Sequence, residues 1–387
     1  MDDVYARLGV RPVVNATCHW TRFGGTIMPP PVLDAMRAAA DAYVDVAELQ
    51  DAASRLIARH THAEAGYVVS GCAAALMVGA AAIMTGDDPA RMARLPDTSG
   101  MKSQWVARRF GRRSAASGSY AHYGYAHAVR GAGGHFVEVG DEAGVALDQI
   151  GAALGPETAG VYWVAAREPG LPTPEQVIEL AHASGVPVLI DGSNTLPPPE
   201  HLHRFLDGGA DLVGFSGGKG LRGPQGSGIL AGRADLIRAA RRQGAPTQGI
   251  ARVCKVSKEE IVGLLTALEL YVARDHRAEM RAAEKKTRWL YDQLGGLIGV
   301  VGAEPEYVCP DRIGRPYPTV HLRLDPQEGL NAAQLLERLL AGEPAVAAMP
   351  GPDEWTIRLD VRELPEEDVQ RVADAVYAVL MPASVGR

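Results

Sequence analysis

The chain has 387 residues, with 39 basic against 46 acidic side chains for a formal charge of -7. That length allows two or three packing units around a large core, and the acidic balance excludes a broad electrostatic footprint for nucleic acid, leaving small-molecule chemistry as the expectation. Four scattered cysteines (Cys18, Cys72, Cys254 and Cys309) suggest neither a zinc site nor a disulfide framework and fit a reduced cytoplasm. The start "MDDVYARLGVRPVVN" lacks an apolar h-region, and no run approaches the roughly 20 residues of a membrane span, so a soluble, unexported protein is expected.

In chain order, residues 30–60 carry apolar side chains at helical spacing after a run of prolines and predict one or two helices. Short apolar runs bounded by Gly or polar residues follow at 65–71, 135–140, 160–166, 186–192, 211–217 and 227–232. Helical patterns such as "TPEQVIELAHASG" and "PEHLHRFLDGG" separate several of them. This alternation predicts an α/β unit with a mainly parallel sheet covered on both faces. After Pro246 the stretch from Ser257 to Leu297 reads as a long amphipathic helix, broken or whole, that opens a second unit. Strand alternation at 318–325 and 355–361 and two further helices make that unit a smaller α+β domain. The expected division is a large domain at 55–250, with 1–54 and 251–387 forming the small one.

The stretch "GFSGGKGLRGPQGSG" sets one lysine, Lys219, among seven glycines in a chain that has only six lysines. A phosphate loop of the GxxxxGK[ST] type fails: Val213 stands where the first glycine belongs, and Gly220 where a metal-binding hydroxyl is needed. A flexible linker is disfavoured by the strand-like runs on both sides. A reactive lysine remains, retained where arginine would serve as a mere charge. Its companion is Asp191, at the end of the apolar run "VPVLID". A carboxylate on a strand end keeps a pyridinium nitrogen protonated, the partner that pyridoxal phosphate requires. One helix and one strand separate Asp191 from Lys219, so the two fall at neighbouring strand ends on one sheet edge, where α/β proteins place ligands. Alone, Asp191 would read as a turn or cap carboxylate. An anion site for the cofactor phosphate is offered by Ser70, Gly71 and Cys72 at a strand-to-helix turn, although Ser is also an ordinary cap. Ser216 and Ser193 complete the hydroxyls counted with the cofactor.

The segments "NATCHWTRFGG", "SGCAAAL", "GMKSQ", "YAHAVRGAGGHFVEVG", "VPVLIDGSNTLPP" and "SGGKGLRGPQGSGIL" occur in one order over nearly the whole chain. Together they resemble the fold-type I pyridoxal phosphate enzymes of the selenocysteine synthase-like and D-glucosaminate-6-phosphate ammonia-lyase-like group. The resemblance implies a PLP-dependent transferase-like fold and active sites at a homodimer interface. It makes Lys219 the Schiff-base lysine, Asp191 the pyridine-nitrogen partner and Ser70–Gly71–Cys72 the phosphate turn. Gln225 and Gly226 match a loop that reaches the partner's phosphate. Relatives stack a histidine on the ring shortly before the "Y-x-H-A" helix; here that match is His122, with Tyr123 or Phe110 as alternatives, while His127 reads as structural.

The substrate carboxylate calls for an arginine fork. Strand period in "WTIRLDVRE" puts Arg358, Asp360 and Arg362 on one face; the resemblance selects Arg362, and a solvated charge row on an edge strand is the competing reading. Asn15, Thr17, His19 and Thr21 alternate at strand spacing and make a candidate substrate wall, with Asn15 and Thr21 as the contacts named. Arg22 and Arg222 are either anion contacts or surface charges. His201 and His203 fall at the start of a helical pattern, where i and i+2 diverge, so the pair is not expected to bind metal. The resemblance favours β-elimination or β-replacement on an amino acid. Racemisation and transamination are alternatives within the fold, and a non-catalytic cofactor- or nucleotide-binding protein the alternative outside it. Selenium transfer to a seryl-tRNA fits least, because the chain is acidic and has no N-terminal domain to spare for tRNA.

Overall fold

A computed structural model describes residues 4–110, 123–141, 144–165, 171–297, 299–306 and 318–381. Its contacts separate two compact units: one spans Thr26–Arg274, and the other takes residues up to Gly25 and from Asp275 onward.

Strand β1 (Val13–Asn15) belongs to the second unit. The first holds β2 (Ala65–Val69), β3 (Gln104–Arg108), β4 (His135–Val139), β5 (Thr158–Val164), β6 (Val188–Asp191), β7 (Leu212–Ser216) and β8 (Gly228–Gly232). They form one sheet in the order β2-β8-β7-β6-β5-β3-β4. Every pairing is parallel except the two made by β8. The near-continuous apolar sequence of β6 to β8 follows from burial on both faces. Ile190, Val213 and Ile229 enter one core, and Leu189, Leu212 and Leu230 the other. Strand β3 escapes the sequence reading because only "WVA" is apolar between Gln104 and Arg108, yet Trp105 is fully buried.

The large unit is wider than the expected 55–250. The helix Pro30–Ala40 packs on Lys258–Ala273, and the helix Val46–Thr61 packs on β2 and on Lys258–Ala273, so both ends of this segment belong to the large unit. The pattern after Pro246 is two helices, and the second unit begins with the second of them. A capping box between Ser257 and Glu260 starts Lys258–Ala273. The Asp275 side chain accepts from Ala278 N (2.9 Å) to start His276–Leu294.

In the smaller unit β9 (Val300–Glu306), β10 (Thr319–Leu324), β12 (Met349–Pro350) and β13 (Thr356–Leu359) form an antiparallel sheet ordered β12-β13-β10-β9. β1 pairs in parallel with β11 (Ala345–Ala347). The helices Ala332–Ala341 and Glu366–Leu380 bury Leu335, Leu339, Val372 and Val376 in the same core as Leu322 and Ile357 of the sheet. No helix among the described residues is long and apolar enough to cross a membrane.

Candidate active site

Because β8 alone runs against its neighbours, β2, β7 and β6 end at one edge and deliver Ser70, Ser216 and Asp191 there. Register fixes their heights: Gly228 lies opposite Val69 on one side and Ser216 on the other, and Asp191 lies opposite Gly214.

Asp191 is buried, with 4% of its surface exposed. It shares the sheet face of Leu189, and the neighbouring strand places Tyr162 opposite Leu189. From there the Tyr162 hydroxyl donates to Asp191 Oδ2 (3.0 Å). Ser193 N donates to Oδ1 (3.0 Å), and the Cys72 thiol lies 3.7 Å from the same oxygen. Ser193 thus serves the carboxylate through its backbone. Burial, then the adjacent Asp191 charge, pushes the Tyr162 hydroxyl well above the usual phenol range, so it stays a donor. Burial, then Asp191, pushes the Cys72 thiol up as well, with Lys219 acting in the opposite direction. Cys72 is therefore a neutral neighbour of the carboxylate, and not a thiolate nucleophile.

The turn after β2 needs glycine at 71, whose φ is 87°. Gly71 caps the helix Cys72–Thr85 without a side chain, so the first amides of that helix have no intrahelical acceptor and point at the edge occupied by Ser70 and Ser216. Close packing secures the turn: a Cβ on Gly228 would sit 2.4 Å from the Gly71 carbonyl carbon and 2.7 Å from Cys72 N. Burial pushes the Cys254 thiol up, with Ser70 acting in the opposite direction.

Lys219 lies on the turn following β7 and is half-buried. Its Nζ is 5.9 Å from the centre of the Tyr125 ring. Its carbonyl accepts from Arg222 N (2.9 Å), and Arg222 takes a left-handed φ of 59° to make this bend. Gln225 is half-buried and Gly226 exposed. His122 lies outside the described residues. Of the alternatives, Phe110 joins an aromatic cluster with Tyr123 (5.2 Å), Phe136 (5.0 Å) and Tyr162 (6.2 Å), one ring away from Asp191. His127 is exposed beside Arg130. Tyr162 and Tyr125 are the residues that sequence reasoning missed. The signal for Tyr162 was a hydroxyl inside a fully apolar strand, which must find a partner.

The smaller unit holds the substrate candidates and corrects two expectations. The alternation from Asn15 to Thr21 stops early: β1 ends at Asn15, Cys18 has a φ of 63°, and Thr21 opens an exposed 3₁₀ turn. Asn15 is spent on its own loop, accepting from Thr17 Oγ1 (2.6 Å) and donating to the Cys18 carbonyl (2.9 Å). The charge row of 358–362 is not a solvated edge. β13 stops at Leu359, and Asp360 N donates to the Ala16 carbonyl (2.9 Å), which draws Asp360, Val361 and Arg362 into the interior. Arg362 binds Asp360 through Nε (3.0 Å) and Nη2 (2.7 Å), both residues being buried. Burial is the largest single influence and opposes its charge, but the Asp360 carboxylate together with Cys18 and Glu363 raises its pKa.

The family model of L-seryl-tRNA selenium transferase matches residues 127–284. A D-glucosaminate-6-phosphate ammonia lyase of Salmonella typhimurium is 31% identical over 352 residues, 89% of each chain. The chain belongs to this family of pyridoxal phosphate enzymes. Another relative within it, a 5'-C-glycyluridine monooxygenase-decarboxylase of a Streptomyces species, is 34% identical over 88% of this chain and 83% of its own. The solved structure of D-glucosaminate-6-phosphate ammonia-lyase superposes with a TM-score of 0.80 at 30% identity, covering 97% of this chain and 98% of that one. This establishes the fold-type I architecture and the cofactor, pyridoxal phosphate, of this enzyme. The donor set fits that cofactor: a buried carboxylate held by two donors suits a protonated ring nitrogen, and an uncapped helix start suits a phosphate.

Proposed function

We propose that this enzyme eliminates a β-substituent from an amino acid, as a cytoplasmic homodimer, with Lys219 as its Schiff-base lysine. Bound pyridoxal phosphate supplies the electron sink that makes the substrate Cα proton acidic. Asp191, oriented by Tyr162 and the Ser193 amide, accepts the ring-nitrogen proton in a hydrogen bond. Ser70, the amides of Gly71 and Cys72 and the Ser216 hydroxyl hold the phosphate. Lys219 Nζ takes the Cα proton, and Arg362 meets the substrate carboxylate with a guanidinium that Asp360 keeps charged and fixed. Gln225 and Gly226 reach the partner's phosphate.

The observation that carries the reading is the buried Asp191 one strand from the Lys219 turn, in a chain 31% identical over 89% of its length to an ammonia-lyase. Incubating holoenzyme with β-hydroxy-α-amino acids, phosphorylated amino-sugar acids included, should yield a 2-oxo acid and ammonia in equal amounts. Lys219→Ala should lose both the product and the near-visible cofactor band. Exchange of Cα deuterium with no product would replace elimination by racemisation. The 34% identity to a monooxygenase-decarboxylase supports a second reading, which predicts carbon dioxide release and oxygen uptake, both abolished under anaerobiosis.

A further inference from the structure

We propose that His62, His203 and Asp207 form a transition-metal site on the large unit, separate from the residues assigned to the cofactor. His201 and His203 do diverge: His201 turns inward to the Thr195 carbonyl (2.9 Å), whereas His203 turns outward to Asp207. Its partner is the distant His62. Asp207 Oδ1 lies 2.9 Å from His62 Nδ1, and Oδ2 lies 2.7 Å from His203 Nδ1. The two imidazoles stack with centroids 4.3 Å apart and planes 25° apart, so both nitrogens converge on one carboxylate. The three ligand atoms lie within 4.8 Å of one another. Metal–nitrogen and metal–oxygen bonds of about 2.0–2.2 Å at tetrahedral angles separate ligand atoms by roughly 3.4 Å. The cluster reaches that spacing by small side-chain rotations.

A second observation points to a cation. His62 is the C-cap of the 16-residue helix Val46–Thr61, held at a left-handed φ of 57°. The last carbonyls of that helix place partial negative charge beside the cluster. Two imidazoles and one carboxylate select Zn²⁺, Co²⁺, Ni²⁺ or Cu²⁺ over Mg²⁺ and Ca²⁺. Each imidazole binds the metal through Nδ1 as its Nε2–H tautomer, so the proton that Nδ1 shares with Asp207 passes through solvent to Nε2, and water fills the remaining position. Ligands 145 residues apart in the chain are then joined, so the ion clamps the end of Val46–Thr61 to the segment that leads into β7.

The test is calorimetric titration of tag-free holoenzyme with Zn²⁺, with Co²⁺ as an optical probe at wavelengths beyond the cofactor bands. One equivalent should bind and raise the melting temperature, while Mg²⁺ should do neither. His62→Asn, chosen because asparagine tolerates the positive φ, and His203→Gln should each weaken binding by more than the roughly 10–100-fold typical of losing an outer-shell partner. Unchanged cofactor absorbance and circular dichroism would show that both variants fold. Absence of Zn²⁺ binding, or binding that survives both substitutions, overturns the site.

Discussion

Gly228→Ala probes the proposed phosphate turn by pressing on its backbone, without replacing any residue proposed to bind the phosphate. The added Cβ would lie 2.4 Å from the Gly71 carbonyl carbon, 2.7 Å from Cys72 N and 2.8 Å from the Gly71 oxygen. Ordinary packing distances require the turn to retreat by about 1 Å. Overpacking of this kind costs about 1–3 kcal/mol of stability. The same retreat carries an amide donor from ~2.9 Å to ~3.9 Å from a phosphate oxygen, beyond hydrogen-bonding range. Losing one charged hydrogen bond worth about 1.5–3 kcal/mol weakens cofactor binding roughly 10–100-fold. Titrating apoenzyme with pyridoxal phosphate by absorbance measures this, and urea unfolding of the apoenzyme measures the first cost. A variant that unfolds more easily yet binds the cofactor as tightly as wild type would show that the turn does not hold the phosphate.

Tyr162→Phe should cost about 1.5–3 kcal/mol by taking one of the donors from the buried Asp191 carboxylate, read by urea unfolding; an unchanged midpoint refutes it. Alkaline titration tests the raised pKa values of Tyr162 and Cys72. The unfolded chain releases both protons before the folded one does, so stability is full below about pH 9 and falls above it. Each group contributes up to ~1.4 kcal/mol per pH unit, and Tyr162→Phe should reduce the slope above about pH 10 by one proton. An identical slope in the variant would count against a buried, neutral Tyr162. Arg362→Ala should destabilise the smaller unit by up to about 3–5 kcal/mol, because it takes the guanidinium away from the buried Asp360 carboxylate. A loss below about 1 kcal/mol would mean that Asp360 finds water or another donor.

What the sequence made legible is where apolar runs stop at residues of distinct chemistry. Asp191 ends β6, and Lys219 follows β7 by three residues, so strand order alone brings the pair to neighbouring positions. Periodicity failed where a local conformation overrode it. The positive φ of Cys18 turns the chain out of the alternation that began at Asn15. The parallel bridge between Thr17 and Asp360 draws the residues after β13 into the interior, where strand period alone allows a solvated charge row. The partner of Tyr162 was illegible for another reason: a strand buried on both faces reports depth but not which buried group its hydroxyl meets. The His62, His203 and Asp207 cluster has no local signature, since its members come from segments 145 residues apart.

The reversed direction of β8 also sets an order of events during synthesis. β2 sits at the sheet edge, and β8, begun 159 residues after β2 ends, is its only strand neighbour among the described residues. At ribosomal rates of about 5–20 residues per second the β2 strand and its turn wait roughly 10–30 s for that neighbour. Until then, the apolar helix Cys72–Thr85 lacks both β8 and the helix Ala234–Gln243, against which it packs in the folded unit. A nascent chain stalled after β7 should remain sensitive to protease near Ser70, and one stalled after β8 has cleared the ribosome should not.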